Sequence, residues 1–348
     1  MTGTEAAMDP RRADALARWL EDRLGLERPR VTSILGGGNS NVTLLIEDTH
    51  GRYVLRHPPA DTISELAASG VGREATVQAA LQGRGLPVPR LLGRCEDASV
   101  IGAPFVVSEH VEGVAVTDTL PPGWPADGEV LARVGEELVD AIAAVHRLDW
   151  RELPLPGFRP SSAFLRRQLE RWLAIRARDS VRDLPLLETV AAELAARLPE
   201  VQYTALIHGD YHWDNTLFSP HEPRLLAIID WELATLGDPR LDVGLMLAFW
   251  GPRAVEEPAF PFVQRPTRTA AAPPREVLAA RWSQATGIPF DDWRYFCAFA
   301  FWRLAAIVEG AYVLYRRGRV DSAYARNLEH DVPRLLEEAR HYLADTAP

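Results

Sequence analysis

The segment L-I-H-G-D-Y-H-W-D-N-T-L-F at 206–218 sets His208, Asp210 and Asn215 in the order His-x-Asp, with the asparagine five positions beyond the aspartate. A carboxylate and a carboxamide so spaced can divide the work of phosphoryl transfer. The aspartate accepts the proton of an acceptor hydroxyl, and the carboxamide oxygen holds a metal ion. Taken alone, the pair could equally cap a turn, as Asp and Asn often do. The run L-A-I-I-D-W-E at 226–232 weakens that alternative, because an apolar strand there delivers Asp230 fifteen residues after Asn215. A carboxylate so placed supplies a second hard oxygen for Mg²⁺, which bridges phosphate oxygens. His208 and His212 form an H-x-x-x-H pair with no third ligand, which is thin support for a metal centre.

These residues need elements to hold them. The spacing of Leu16, Trp19, Leu20 and Leu24 predicts an amphipathic helix over 12–24, stopped by Gly25. VTLLIED at 42–48 and RYVLR at 52–56 read as a hairpin around Asp48 and Gly51, preceded by the glycine-rich GGGNSN at 36–41. Residues 71–82 read as a helix broken by the prolines of LPVPRLLG, and APFVVSEHVEG at 103–113 as a buried strand leading into a hinge. Beyond it, 129–148, 161–182 and 186–198 carry helical spacing, two short strands are expected within 214–232, and 276–343 reads as further helices. The Pro-, Ala- and Arg-rich stretch 251–275 is expected to be an irregular loop that could cover a substrate. The expected class is α+β, with a β-rich lobe at 1–112 and a mainly helical lobe at 113–348.

Together these blocks resemble the aminoglycoside phosphotransferase and choline kinase group, which has a protein-kinase-like two-lobe fold. The branch most resembled is the one related to the kinase domain of acyl-CoA dehydrogenase family proteins. The resemblance runs nearly end to end and rests on GGGNSNVTLLI (36–46), YVLRHPP (53–59), GREATVQAAL (72–81), PVPRLLGRCEDASVIGAPF (87–105), HGDYHWDN (208–215), IIDWELATLGDPRLDVG (228–244) and FWRLAAIVEGAY (301–312). It implies Asp210 as catalytic base, Asn215 and Asp230 as Mg²⁺ ligands, and ATP covered by a turn at Gly36, Gly37 and Gly38. It also implies a hinge over Ser108–Val111, including Glu109 and Val111, that offers backbone groups to adenine.

One departure stands out. Where such kinases place a lysine on the third strand, this chain has Arg56, and the helix glutamate that pairs with it is best matched by Glu74. No lysine occurs anywhere: all 38 Lys+Arg residues are arginine. An arginine keeps the charge but changes reach and geometry. Asp238 and Asp242 read as turn-capping and loop-bracing, Trp231 as packing, and His146 as a buried, hydrogen-bonded histidine.

The formal charge of −10 points away from nucleic acid, and the 47% hydrophobic, 25% charged composition is that of an ordinary globular chain. Cys95 and Cys297 suggest neither a disulfide nor a zinc site. The opening residues carry no unbroken apolar h-region, so a cytoplasmic location is expected. Residues 296–315 approach membrane-span length, but Arg303 and Glu309 favour a buried helix and no membrane association. The implied acceptor is a small hydroxylated molecule, such as a hydroxyacyl-CoA. Seven arginines between Arg159 and Arg182 against Glu170 and Asp179 suit an anion, although a solvated basic face would look the same. An aminoglycoside kinase and a pseudokinase without turnover are the competing readings.

Overall fold

The computed structural model describes residues 9–37, 41–58 and 65–344. They form two compact units. The first comprises the described residues up to 112 with 153–156 and 227–234, and the second comprises 113–152, 157–226 and the described residues from 235 on.

In the first unit, helix α1 (Pro10–Leu24) is capped by the Asp9 carboxylate, which accepts from the Arg11 amide at 2.8 Å. Strands β1 (Arg30–Gly37), β2 (Val42–Glu47) and β3 (Arg52–His57) precede α2 (Glu65–Leu81), β4 (Leu91–Cys95) and β5 (Phe105–Glu109). The sheet order is β1-β2-β3-β5-β4, and every neighbouring pair is antiparallel. The expected hairpin is present: the Asp48 carboxylate accepts from the amides of His50 and Gly51, both at 2.8 Å, and so ties its turn.

Side chains alternate across a strand, so one sheet face is greasy and the other is free for chemistry. Leu44, Ile46, Leu55, Phe105 and Val107 bury against Leu16 and Leu20 of α1. Trp19 meets Phe105 edge-on at 4.8 Å. Arg56, one residue after Leu55, therefore turns to the opposite face, where Val106 packs with Val71 and Ala75 of α2.

In the remainder of the chain, α3 (Gly128–His146), α4 (Phe164–Asp179) and α5 (Pro185–Ala196) lead to the short strands β6 (Ala205–Ile207), β7 (Thr216–Phe218), β8 (Leu225–Ile228) and β9 (Thr235–Gly237). Then follow α6 (Arg240–Phe249), α7 (Arg275–Thr286), α8 (Trp293–Arg316) and α9 (Ala323–Ala344). Helix α8 is long and apolar enough to cross a membrane, yet Phe296, Phe299, Phe301 and Trp302 are fully buried inside the second unit. It is a core helix. Helix α6 approaches it so closely that a Cβ on Gly244 would lie 2.7 Å from the Phe296 carbonyl oxygen.

Two elements depart from expectation. Strand β1 carries exposed Ile34 and Leu35, and β4 follows a proline-rich break, so neither shows a clean alternating pattern. The 251–275 stretch is irregular apart from a short turn of 3₁₀ helix at Arg265–Thr267, but it is pinned. Gln264, wholly buried, accepts from the Trp213 amide at 2.9 Å and donates to the Met246 carbonyl at 3.1 Å.

Candidate active site

The first unit assembles a charged trio. Arg56 on β3 donates from Nη1 to Glu74 Oε1 at 2.6 Å and from Nη2 to Asp230 Oδ1 at 2.9 Å. The guanidinium fork thus serves two carboxylates at once, which a single ammonium would do with less geometric constraint. Burial works against the charge on Arg56, but Glu74 and Asp230 outweigh it and raise its pKa. Burial lifts the Glu74 carboxyl above the usual range, with Arg56 opposing. Glu74 is a buried side chain of α2 and not a solvated one.

Asp230 follows β8 in a left-handed backbone conformation, φ 68° and ψ 58°. That conformation costs a non-glycine residue on the order of 1 kcal/mol and persists where packing enforces it. Here Trp231, fully buried and donating to the Ile228 carbonyl at 3.0 Å, supplies the enforcement. The Asp230 side chain stays 31% exposed, and Arg56 takes only its Oδ1. Asn41, at the start of β2, donates to the Glu232 carboxylate two residues further on. Arg56 Nε, Glu74 Oε2 and Asn41 Oδ1 are buried without a hydrogen-bond partner among the described residues. Unmet polar atoms gathered in one place suit a polar ligand.

The glycine-rich segment corrects one expectation. Gly36 and Gly37 are not turn residues but the end of β1, paired with Thr43 and Val42. Gly38 lies outside the described residues. At the hinge, the Glu109 amide is spent on the Arg90 carbonyl at 2.9 Å, and the Glu109 carboxylate accepts the Arg90 amide at the same distance. The Val111 N–H makes no hydrogen bond among the described residues.

The second unit holds the loop from His208 to Asn215. Strand β6 is wholly buried and leads through His208 into Gly209, whose φ of 88° belongs to glycine. Asp242 braces this turn: it accepts from the His208 amide at 2.7 Å and the Gly209 amide at 2.8 Å. His146 stands 3.1 Å away, and Trp282 donates to its Nδ1 at 3.1 Å, so the ring proton sits on Nε2 and faces Asp242. Burial would raise Asp242, but His146, His208 and the Gly209 amide hold its pKa below the ordinary value. Arg303 of α8 donates to the Gly209 carbonyl at 2.6 Å.

Asn215 donates to the Asp210 carbonyl at 2.8 Å and to Asp210 Oδ2 at 3.1 Å, which leaves its carboxamide oxygen without a partner among the described residues. His212 lies between Asp210, at 3.8 Å, and Asp214, at 3.6 Å. Burial opposes its charge, but the two carboxylates raise its pKa to about 10. In turn, burial acts to raise Asp210, and His212, His208 and Arg303 overcome it, so the group remains a carboxylate.

Among the described residues no cluster of three or more His, Cys, Asp or Glu side chains could enclose a metal. Asp230 in the first unit and Asn215 in the second each carry a side-chain oxygen of the hard type that Mg²⁺ takes. The donor chemistry fits.

A model of the phosphotransferase enzyme family, APH, matches residues 31–278. The chain belongs to that family. As a member of the APH phosphotransferases it is 32% identical over 322 residues to mouse acyl-CoA dehydrogenase family member 10. It is 31% identical over 307 residues to human acyl-CoA dehydrogenase family member 11. These alignments cover 90% and 86% of the chain but only 29% and 38% of the relatives, so it spans about a third of their length. A crystal structure from Ralstonia eutropha, described as a candidate aminoglycoside phosphotransferase, superposes with a TM-score of 0.78 at 27% identity, covering 96% of this chain and 99% of that one. A thermostable mutant of the aminoglycoside phosphotransferase APH(4)-Ia, in a ternary complex with AMP-PNP and hygromycin B, gives a TM-score of 0.62 at 18% identity, covering 96% and 99% of the chains. The fold is α+β and protein-kinase-like.

Several residues of the site escaped the motif reading. Asn41 and Glu232 are 191 positions apart, and no local pattern links them. Arg303 and His212 were visible only as a charge in an apolar helix and as half of a histidine pair. Trp282 carried no signal at all.

Proposed function

We propose that this APH-family phosphotransferase moves the γ-phosphoryl group of ATP, with Mg²⁺, to a hydroxyl of a small molecule. The observation that carries the reading is the Arg56 fork on Glu74 and Asp230, an arginine in the place and pairing where kinases use a lysine. It supports a working nucleotide site over a pseudokinase. Asp230 and Asn215 would hold the metal, which supplies charge neutralisation on the phosphates. Asp210, held as a carboxylate, orients the acceptor hydroxyl and accepts its proton. Gly36–Gly38 and the hinge at Glu109 and Val111 are the segments assigned to phosphates and adenine.

A small pocket beside Asp210 bears on the acceptor. It is lined by Leu241, Leu245, Ala300, Leu304 and Ile307, with Arg303 its one cation. The space is about water-sized, so it suits the hydroxyl end of an acceptor, and its apolar lining fits a hydroxyacyl-CoA or a related compound. A polycationic aminoglycoside would meet Arg303 and, in that pocket, no carboxylate but Asp210.

Phosphate-transfer assays across hydroxyacyl-CoA, aminoglycoside, choline and sugar acceptors test the reading. Asp210→Asn should cut transfer at least about 100-fold while ATP still binds, the scale of a lost general base. Full turnover by that variant would sink the assignment, and transfer to aminoglycosides alone would overturn the acceptor class.

A further inference from the structure

On the helical side of the second unit lies a half-buried cation with unmet donors among the described residues. Arg176 projects from α4, and its guanidinium lies over Gly310 of α8, where a Cβ would sit 3.7 Å from Nη2 and 3.8 Å from Nη1. Its Nε and Nη1 are buried and have no hydrogen-bond partner among the described residues. Two carboxylates bear on it, and both are taken. Glu309 receives Arg182 on its two oxygens, at 3.1 and 2.5 Å, and Asp179 receives Arg178 on its two, at 3.2 and 2.8 Å. Arg178 and Arg317 add like charge, and burial with those neighbours draws the Arg176 pKa down. A half-buried guanidinium with two unmet donors invites an anion.

The position of Arg176 gives that anion an identity. Arg303, Ile307 and Gly310 occupy positions i, i+4 and i+7 of α8 and so share one face. Arg303 and Ile307 line the pocket beside Asp210. Gly310, with Arg176 above it, continues the same stripe about 10 Å further along the axis at 1.5 Å per residue.

We propose that Arg176 is a binding residue for an oxyanion, carboxylate or phosphate, at the far end of the acceptor, whose hydroxyl lies at Asp210 and whose apolar middle runs along the α8 stripe. This rests on the assignment of Asp210 as the base. Arg176 is then a site, while Arg166, Arg167, Arg171 and Arg178 of α4 remain an exposed face.

Calorimetric binding to the whole chain without nucleotide tests it. The probes are linear hydroxy acids of graded length, the matching hydroxy amides and the matching hydroxyalkyl phosphates. The native chain should bind the acid or the phosphate about tenfold or more tightly than the amide, the value of one charged hydrogen bond. The better of the two identifies the anion. R176Q should erase the preference while amide affinity and melting temperature are unchanged, and R176M, which keeps the apolar stem, should behave alike. No preference in the native chain, or a preference that survives both substitutions, overturns the proposal. D210N should keep the preference and lose transfer. If D210N transfers at the native rate, the base assignment fails while the anion preference stands or falls separately.

Discussion

Arg56 divides its guanidinium between Glu74, a buried helix carboxylate, and Asp230, a half-buried one. R56K keeps the charge but cannot hold two carboxylates in one plane. We expect kcat/KM for ATP to fall about tenfold, one charged hydrogen bond's worth, in steady-state kinetics with ATP varied. An unchanged value would show that the fork is dispensable. R56M removes the partner of a buried carboxylate and should cost about 3–5 kcal/mol in denaturant unfolding. Asp242 predicts a pH effect. Its folded-state pKa lies below the ordinary 3.8, so its contribution is fully present above that value and lost as pH falls through the depressed one. Unfolding free energy should therefore drop below about pH 4 in the native chain. D242N should start lower, because its amide nitrogen would face a backbone donor, the His208 or the Gly209 amide, and should show a shallower acid limb. The pairing of Asp210 with Asn215 was legible from residue type and spacing, because a short loop keeps its partners local. Arg303 and Asn41 were not, because their partners are set by packing between distant segments.

Among the elements, the hairpin of β2 and β3 and helices α1 and α3 to α5 follow from apolar periodicity, since each shows one greasy face to one core. Strands β1 and β4 fail the same test for a physical reason: β1 leaves Ile34 and Leu35 exposed, and β4 carries Gly93, where a Cβ would lie 2.7 Å from the Leu24 side chain. Their places come from neighbours and not from their own pattern. Close approach is sharper still between α6 and α8. G244A would push a methyl against the Phe296 carbonyl, a backbone atom with no rotamer to yield. We expect a loss of about 1–3 kcal/mol, seen as a lower denaturation midpoint with little change in slope. A midpoint equal to that of the native chain would mean that the two helices can slide apart at no cost.

For the whole molecule, ligand linkage is the accessible observable. If ATP with Mg²⁺ binds only the folded chain, a concentration about 100 times Kd should add about 2.7 kcal/mol and raise the melting temperature. D210N should retain that shift and D230N should lose most of it, measured by calorimetry with and without nucleotide. A shift of equal size in D230N would remove Asp230 from the nucleotide site. One further consequence follows from the Arg56 fork. Acylating nucleotide analogues label kinases by capturing an amine beside the phosphates, and this chain has no lysine to offer them. Such reagents should pass the chain over in a mixture of active kinases. Chemical profiling that equates silence with inactivity would therefore miscount this chain.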